Sequence, residues 1–308
     1  MSLVIRTSSA RSAAWRSALS ALAPDLDVRI WPDVGDPAAV THLLTWKPPS
    51  DLMTRFPNLR AVFSEGAGVD QFLSLGLPDG VSLVRIVDPA LTDMMVEYGV
   101  WATLALHRQA PAYRRSQAAH EWRPQAQPLA RDRRVGVLGL GVLGAALLRR
   151  LHLFGFACAG WSRGAHAIDG VTCFAGHDTL AAFLHRTDIL ICLLPLTDET
   201  RGILSARTFA ALPQGAGVIN CGRGGHVVEA DLLAALESGH LSHAILDVAG
   251  QEPLPADHPF WDHPGITLTP HVASDTTPAS AAHQLVDNLR RLRAGQTPVG
   301  LVDRGRGY

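Results

Sequence analysis

Lysine is almost missing from this chain: Lys47 is the single one, so nearly all of the 27 basic residues are arginine. Mechanisms that need a lysine elsewhere are excluded. The Tyr-x-x-x-Lys arrangement of short-chain dehydrogenases is among them, because no Tyr stands four residues before Lys47. Excess charge of one sign is also lacking, since 27 basic against 28 acidic side chains leave a formal net charge of −1. That balance gives no electrostatic reason to expect nucleic acid or an anionic membrane as a partner. Apolar runs stop well short of the roughly 20 residues that span a bilayer. The N-terminal Met1–Arg6 turns polar within a few residues and reads as a first strand rather than a signal peptide, which points to the cytoplasm. Cys158, Cys173, Cys192 and Cys221 show neither CxxC nor Cys/His spacing, so neither a disulfide framework nor a zinc site is expected. Three of them sit in apolar or Gly-rich runs, where a thiol packs as a small hydrophobe.

What is present is alternation. At 308 residues there is room for two domains, each with its own core. Short β-rich runs (Leu3–Arg6, Val28–Trp31, His42–Thr45, Leu59–Phe63, Val84–Val87) alternate with helical patterns such as Ala10–Leu22. A second series follows: Val135–Leu138, Phe156–Trp161, Ile189–Leu193, Val218–Asn220, Ala244–Asp247 and Ile266–Leu268. The pattern predicts an α/β protein with two Rossmann-like, doubly wound parallel-sheet domains and a cleft between them. A helical stretch, Thr92–His107, and an Arg- and Gln-rich segment, Ala110–Arg134, separate the two series. The predicted boundaries give residues 1–98 with 275–308 to a substrate-binding domain and 99–274 to a dinucleotide-binding domain, the last helical pattern, Ala279–Arg293, returning to the first.

Gly139, Gly141 and Gly144 form GxGxxG between the strand Val135–Leu138 and the helical run Val142–Leu153. The first permits the tight turn, the second lets backbone approach a pyrophosphate, and the third allows helix and strand to pack closely. A plain Gly-rich turn is the alternative, and the flanking strand and helix favour the nucleotide. NAD sites place an acid about 20 residues on, for the ribose hydroxyls. Here Trp161-Ser162-Arg163-Gly164 ends the next strand and no acid comes before Asp169. Ser162 can hydrogen-bond a 2′-phosphate and Arg163 can pair with it, so NADP(H) is preferred and NAD(H) remains possible. Arg223, among Gly222, Gly224 and Gly225, suits bidentate binding of a carboxylate. Glu252 lies in a Pro-rich loop and His271 follows Thr269-Pro270 at a strand end. A carboxylate beside an imidazole favours its charged form, which could protonate a carbonyl oxygen as hydride arrives at carbon.

In order, GLGVLG, PLTDETRGIL, NCGRGG, DVAGQEPLP and TPHVAS resemble the D-isomer-specific 2-hydroxyacid dehydrogenases over essentially the whole chain. Within that family the bacterial glyoxylate/hydroxypyruvate reductases of the A type are most similar, supported by Thr45–Pro49, Ser64–Asp70 and the tail Val302–Tyr308. The resemblance implies reduction of a short 2-keto acid to the 2-hydroxy acid, with Arg223, Glu252 and His271 catalytic. It implies that Trp46 covers the substrate and that Ala67 and Gly68 offer backbone N–H groups, alongside Arg223 and His271. Cofactor contacts are implied for Gly139, Leu140, Gly141, Val142, Leu143 and Gly144, for Ser162 and Arg163, and for Leu193, Leu194, Pro195 and Thr200. Cys221, Gly222, Arg223, Asp247, His271 and Ala273 complete that set, with Asp247 facing the nicotinamide carboxamide. A homodimer with Trp122 in an interdomain and dimer arm, and no metal, also follow. One departure is Ala249, where many members carry an aromatic; it leaves a larger 2-keto acid as an alternative substrate. A dinucleotide-sensing, protein-binding module without turnover is the alternative of another class.

Overall fold

The computed structural model describes residues 1–308, which divide into two compact units, Met1–Leu91 with Asp275–Tyr308 and Thr92–Ser274. The first unit is built on five parallel strands: β1 (Ser2–Arg6), β2 (Asp27–Ile30), β3 (His42–Thr45), β4 (Ala61–Ser64) and β5 (Ser82–Val84). Their order, β2-β1-β3-β4-β5, is the flavodoxin-like winding. Helices α1 (Ser9–Leu22), α2 (Leu52–Arg55) and α3 (Asp70–Leu73) join the strands. Val4, Leu43, Val62 and Leu83, one from each of four neighbouring strands, pack with Phe56 and Phe72 in one buried cluster. Fully burying a side chain of this size contributes roughly 1.5–3 kcal/mol.

The second unit begins inside α4 (Pro89–His107), continues through α5 (Ala110–Ala118) and carries seven parallel strands. These are β6 (Arg134–Leu138), β7 (Ala157–Ser162), β8 (Thr172–Ala175), β9 (Ile189–Cys192), β10 (Ala216–Asn220), β11 (Leu241–Leu246) and β12 (Ile266–Leu268). The order β12-β11-β10-β9-β6-β7-β8 reverses between β6 and β9, the switch point of a dinucleotide-binding sheet. Helices α6 (Val142–Leu153), α7 (Leu180–His185), α8 (Ala206–Ala211) and α9 (Glu229–Glu237) follow successive strands, and α10 (Pro278–Arg293) lies in the first unit against α1.

Both faces of the larger sheet are buried, and successive residues show it. Leu138, Leu190, Val218 and Leu246 belong to one apolar cluster, whereas Val137, Ile189, Ile191, Ile219 and Ile245 belong to another. Successive strand side chains point to opposite faces, so a sheet covered on both sides needs these continuous apolar runs. Two doubly wound parallel α/β sheets are therefore observed.

Three local differences from the sequence reading have physical causes. Residues 85–87 are not strand, because their N–H groups leave the ladder: Arg85 donates to Gly300 O, Ile86 to Gly66 O and Val87 to Gln284 Oε1. Strand β8 is an edge strand of four residues that is only partly buried, and its run Cys173–Ala175 is too short to stand out in the sequence. Residues 110–118 form a helix despite Pro111, which occupies the first turn, where a missing N–H costs nothing.

Candidate active site

The glycine turn after β6 is defined by contacts that exclude side chains. Gly139 sits at φ 102°, donates its N–H to Trp161 O at 2.8 Å, and a Cβ there would lie 2.7 Å from Leu193 O. A Cβ on Gly144 would come within 1.9 Å of Gly139 O, so α6 can start only this close to the turn without one. Gly141 differs: nothing lies within 4 Å of its Cβ position, and it caps α6 with no side-chain bond. An open face at the N-terminus of a 12-residue helix, whose first N–H groups have no intrahelical acceptor, has room and donors for a phosphate. These residues fit a dinucleotide.

Ser162, buried at the end of β7, donates its hydroxyl to Gly164 O at 2.8 Å. Arg163 is exposed, with Nη1 3.3 Å from Glu199 Oε2. After β9, Leu193–Pro195 is pinned by Thr200, whose Oγ1 donates to Pro195 O at 2.6 Å and accepts the Thr197 N–H at 2.8 Å. After β10, Cys221 is buried. Burial first, and the Asp247 carboxylate next, push its thiol well above the ordinary range, so it presents a neutral surface.

Arg223 stands in a loop with little freedom. Asn220 Nδ2 donates to Arg223 O at 2.9 Å, Asn220 Oδ1 accepts the Gly222 N–H at 3.1 Å, and Arg223 Nη1 donates to Gly222 O at 2.9 Å. The Arg223 N–H donates to His226 Nδ1 at 3.0 Å, while His226 Nε2 faces Pro195 O at 3.3 Å. A fully buried imidazole thus ties the arginine loop to the Leu193–Pro195 loop. A Cβ on Gly224 would lie 1.9 Å from the Ala249 backbone, so this loop also abuts the one that carries Glu252.

His271 follows β12 at φ 56°, a left-handed conformation uncommon for a residue with a side chain. Asp247 holds it there. The Asp247 backbone carbonyl accepts the His271 N–H at 2.8 Å. Its carboxylate accepts Thr269 Oγ1 at 2.6 Å, the Val272 N–H at 2.9 Å and the Ala273 N–H at 2.9 Å. Tyr98 OH lies 2.6 Å from Thr269 Oγ1, and burial raises its phenol far above the usual value, so it keeps its proton. In the turn so fixed, His271 Nδ1 lies 2.7 Å from Glu252 Oε2, and Glu252 Oε1 accepts the Ala249 N–H at 3.1 Å. A carboxylate only accepts, so Nδ1 carries a proton and Nε2 is the nitrogen left for proton exchange.

In the first unit, Trp46 follows β3, and its ring covers Gly66, where a Cβ would lie 2.8 Å from it. Gln71 Nε2 donates to Trp46 O at 3.0 Å. Ala67 and Gly68 lie in the turn after β4, closed by the Ser64 hydroxyl on Gly68 O at 2.8 Å.

The second unit thus brings the Glu252–His271 pair, Asp247 and the Arg223 loop onto neighbouring loops at the carboxyl ends of β10, β11 and β12. Sequence reasoning missed His226. Its spacing of three after Arg223 was the available signal, but only the fold shows the ring turned inward. It also missed that Asp247 shapes the histidine turn, a role that depends on partners 22 to 26 residues away.

Residues 100–273 match the family described as D-isomer specific 2-hydroxyacid dehydrogenase, NAD binding domain. A glyoxylate/hydroxypyruvate reductase A of Serratia proteamaculans is 44% identical over 300 residues, covering 96% of each chain. A D-isomer specific 2-hydroxyacid dehydrogenase of Xanthobacter autotrophicus, solved with NADPH and MES, superposes with a TM-score of 0.96 at 44% identity, over 100% of this chain and 99% of that one. An NADPH-dependent glyoxylate/hydroxypyruvate reductase of Sinorhizobium meliloti, solved with NADP and sulfate, gives 0.93 at 40% identity over the same shares. With its glycine turn, its histidine–carboxylate pair and relatives aligned nearly end to end, the chain belongs to the D-isomer-specific 2-hydroxyacid dehydrogenase family.

Proposed function

We propose that this protein reduces glyoxylate, hydroxypyruvate or a related short 2-keto acid to the 2-hydroxy acid, with NADPH preferred over NADH. The observation that carries the reading is the 2.7 Å contact between His271 Nδ1 and Glu252 Oε2, with the Glu252 loop abutting the one that carries Arg223. NADPH supplies the hydride when bound. The Gly139–Gly144 cradle would hold its pyrophosphate, Ser162 and Arg163 its 2′-phosphate, and Leu193–Pro195, Thr200, Cys221, Gly222, Asp247 and Ala273 the remainder.

Arg223 grips the substrate carboxylate and steadies the carbonyl oxygen as negative charge grows there. The His271 imidazolium gives that oxygen its Nε2 proton and is left as the neutral Nδ1–H tautomer, whose remaining proton Glu252 Oε2 accepts. Asp247 supports the step by holding the turn from which His271 projects. In the first unit the turn with Ala67 and Gly68 offers backbone N–H groups to a carboxylate, beneath Trp46. The names of the relatives in Serratia and Sinorhizobium support this choice of substrate.

We also propose a homodimer, supported by the full exposure of Trp122 and the half-exposed Trp101. A cytoplasmic location is proposed as well, supported by the four free cysteines, which suit a reducing compartment.

Steady-state oxidation of NADPH and NADH with glyoxylate, hydroxypyruvate, pyruvate and phenylpyruvate tests the proposal. Short 2-keto acids with NADPH should give the highest kcat/KM. His271→Asn should lower kcat by about 10²–10⁴-fold, the usual worth of a general acid. If no 2-keto acid accelerates NADPH oxidation, the reading fails; higher efficiency with NADH overturns its cofactor part.

A further inference from the structure

At the end of β7 two donors share one acceptor. Gly164 O accepts the Ser162 hydroxyl at 2.8 Å, and His166 Nδ1 lies 3.1 Å from the same oxygen and 3.0 Å from Ser162 Oγ. A carbonyl oxygen can only accept, so an Nδ1 this close to it carries a proton. The assignment comes from the hydrogen-bond network, which leaves Gly164 O with a donor to spare. With the His166 N–H on that carbonyl, the Ser162 proton can turn elsewhere while Gly164 O keeps a donor from the protein. Arg163, next in sequence, faces Glu199 across 3.3 Å, and both side chains are exposed. An exposed pair of this kind is worth about 0–1 kcal/mol, so a stronger anion can take the guanidinium from it.

We infer that His166 is a third determinant of 2′-phosphate recognition: its Nδ1–H takes over Gly164 O and so releases the Ser162 hydroxyl proton to the phosphate. The inference rests on the proposed role of Ser162 and Arg163 at that group. The effect is specific to phosphate. A phosphate dianion only accepts and needs the Ser162 proton, whereas a ribose 2′-hydroxyl can itself donate to Ser162 Oγ and needs nothing from His166.

Calorimetric titration of the whole protein with adenosine 2′,5′-bisphosphate and adenosine 5′-monophosphate separates the possibilities without turnover. His166→Phe keeps a ring but removes the donor. It should weaken the bisphosphate about tenfold, the worth of one hydrogen bond to a charged group, and shift the monophosphate less than about twofold. His166→Asn places an amide N–H close to the position of Nδ1 and should restore most of the loss. Arg163→Ala is the control for the underlying reading. Weaker bisphosphate binding in Arg163→Ala but not in His166→Phe overturns the inference and leaves that reading standing. Equal weakening of both nucleotides by His166→Phe makes the ring a structural prop and also overturns it. If neither variant discriminates between the nucleotides, the 2′-phosphate site itself is misplaced and the inference falls with it.

Discussion

The two units face the same task, fixing a loop at the carboxyl end of a parallel strand, and use different means. At the glycine turns of the second unit the means are backbone and small residues: Gly139 and Gly144 touch main chain where no Cβ fits, and Gly224 abuts the Ala249 backbone. In the first unit the turn after β4 is held by side chains from far away. Glu65, 6% exposed, accepts Arg11 Nε at 2.6 Å and Trp15 Nε1 at 3.0 Å. Arg11 in turn reaches Asp275 Oδ2 at 2.7 Å and Thr276 O at 2.8 Å. Steric exclusion cannot relax without moving main chain, whereas an ionic network loses its members one at a time. Substitutions should therefore be nearly all-or-none at the glycine turns and graded at the ionic one.

The largest effect is expected at Gly144. Gly144→Ala puts a methyl 1.9 Å from Gly139 O, so α6 or the turn must move. Overpacking of this kind costs typically 1–3 kcal/mol and more where only backbone can yield, so about 3 kcal/mol or more is expected. Thermal unfolding should shift down, and NADPH affinity should fall at least about a hundredfold if the turn shifts by an ångström. Gly141→Ala is the contrast, because its Cβ meets nothing within 4 Å. It should unfold near the wild-type temperature and still bind the dinucleotide poorly, its methyl filling the phosphate approach. Equal stability and affinity in wild type and Gly144→Ala would remove the steric half of the comparison.

Glu65→Gln probes the ionic half. Removing one member of a fully buried pair costs about 3–5 kcal/mol, but Arg11 is 29% exposed and keeps Asp275, so about 2 kcal/mol is expected. Amide exchange at residues 66–69 should speed up before the rest of the first unit is affected. Glu199→Gln, which breaks an equally visible pair whose side chains are 43% and 59% exposed, should change stability by less than about 1 kcal/mol. If the two variants behave alike, burial of Glu65 is not what holds its turn.

That contrast also explains what could be read from the chain. A turn made by missing side chains leaves its mark in spacing, so Gly139, Gly141 and Gly144 announce a nucleotide cradle, and the apolar strands on both sides announce the sheet. Arg223 and His271 are legible as residue types at strand ends and Glu252 as an acid in a Pro-rich loop; that His271 and Glu252 touch is a property of the folded loops. The Glu65–Arg11 bond joins residues 54 apart and the Arg11–Asp275 bond residues 264 apart, and neither spacing has a local pattern. His226 was hidden for another reason: histidine is common on surfaces, and only the fold shows this ring fully buried between two loops.

Acid should expose a weakness that the two units share, spread over a pH window rather than confined to one loop. Each sheet buries one histidine whose charged form is disfavoured: burial lowers His42 in β3 to about 4 and His243 in β11 to about 4. Nearby cations add to this, the N-terminal amine and Arg60 at His42, and Arg115, His263 and Arg114 at His243. Unfolded, either ring would take its proton near pH 6.5. Between those values the unfolded chain binds more protons than the folded one, so stability falls as pH drops from about 6.5 to about 4 and is constant above that window. Each ring contributes at most about 3 kcal/mol across the window, one pKa unit being 1.36 kcal/mol. Stability against urea, followed from pH 8 to pH 4, should decline in both units. His42→Gln should flatten the decline of the first unit alone, and His243→Gln that of the second, where the buried Nδ1 already lacks a partner. A decline unchanged in both variants would mean that other groups, the carboxylates of the ion pairs first among them, set the acid limit of this fold.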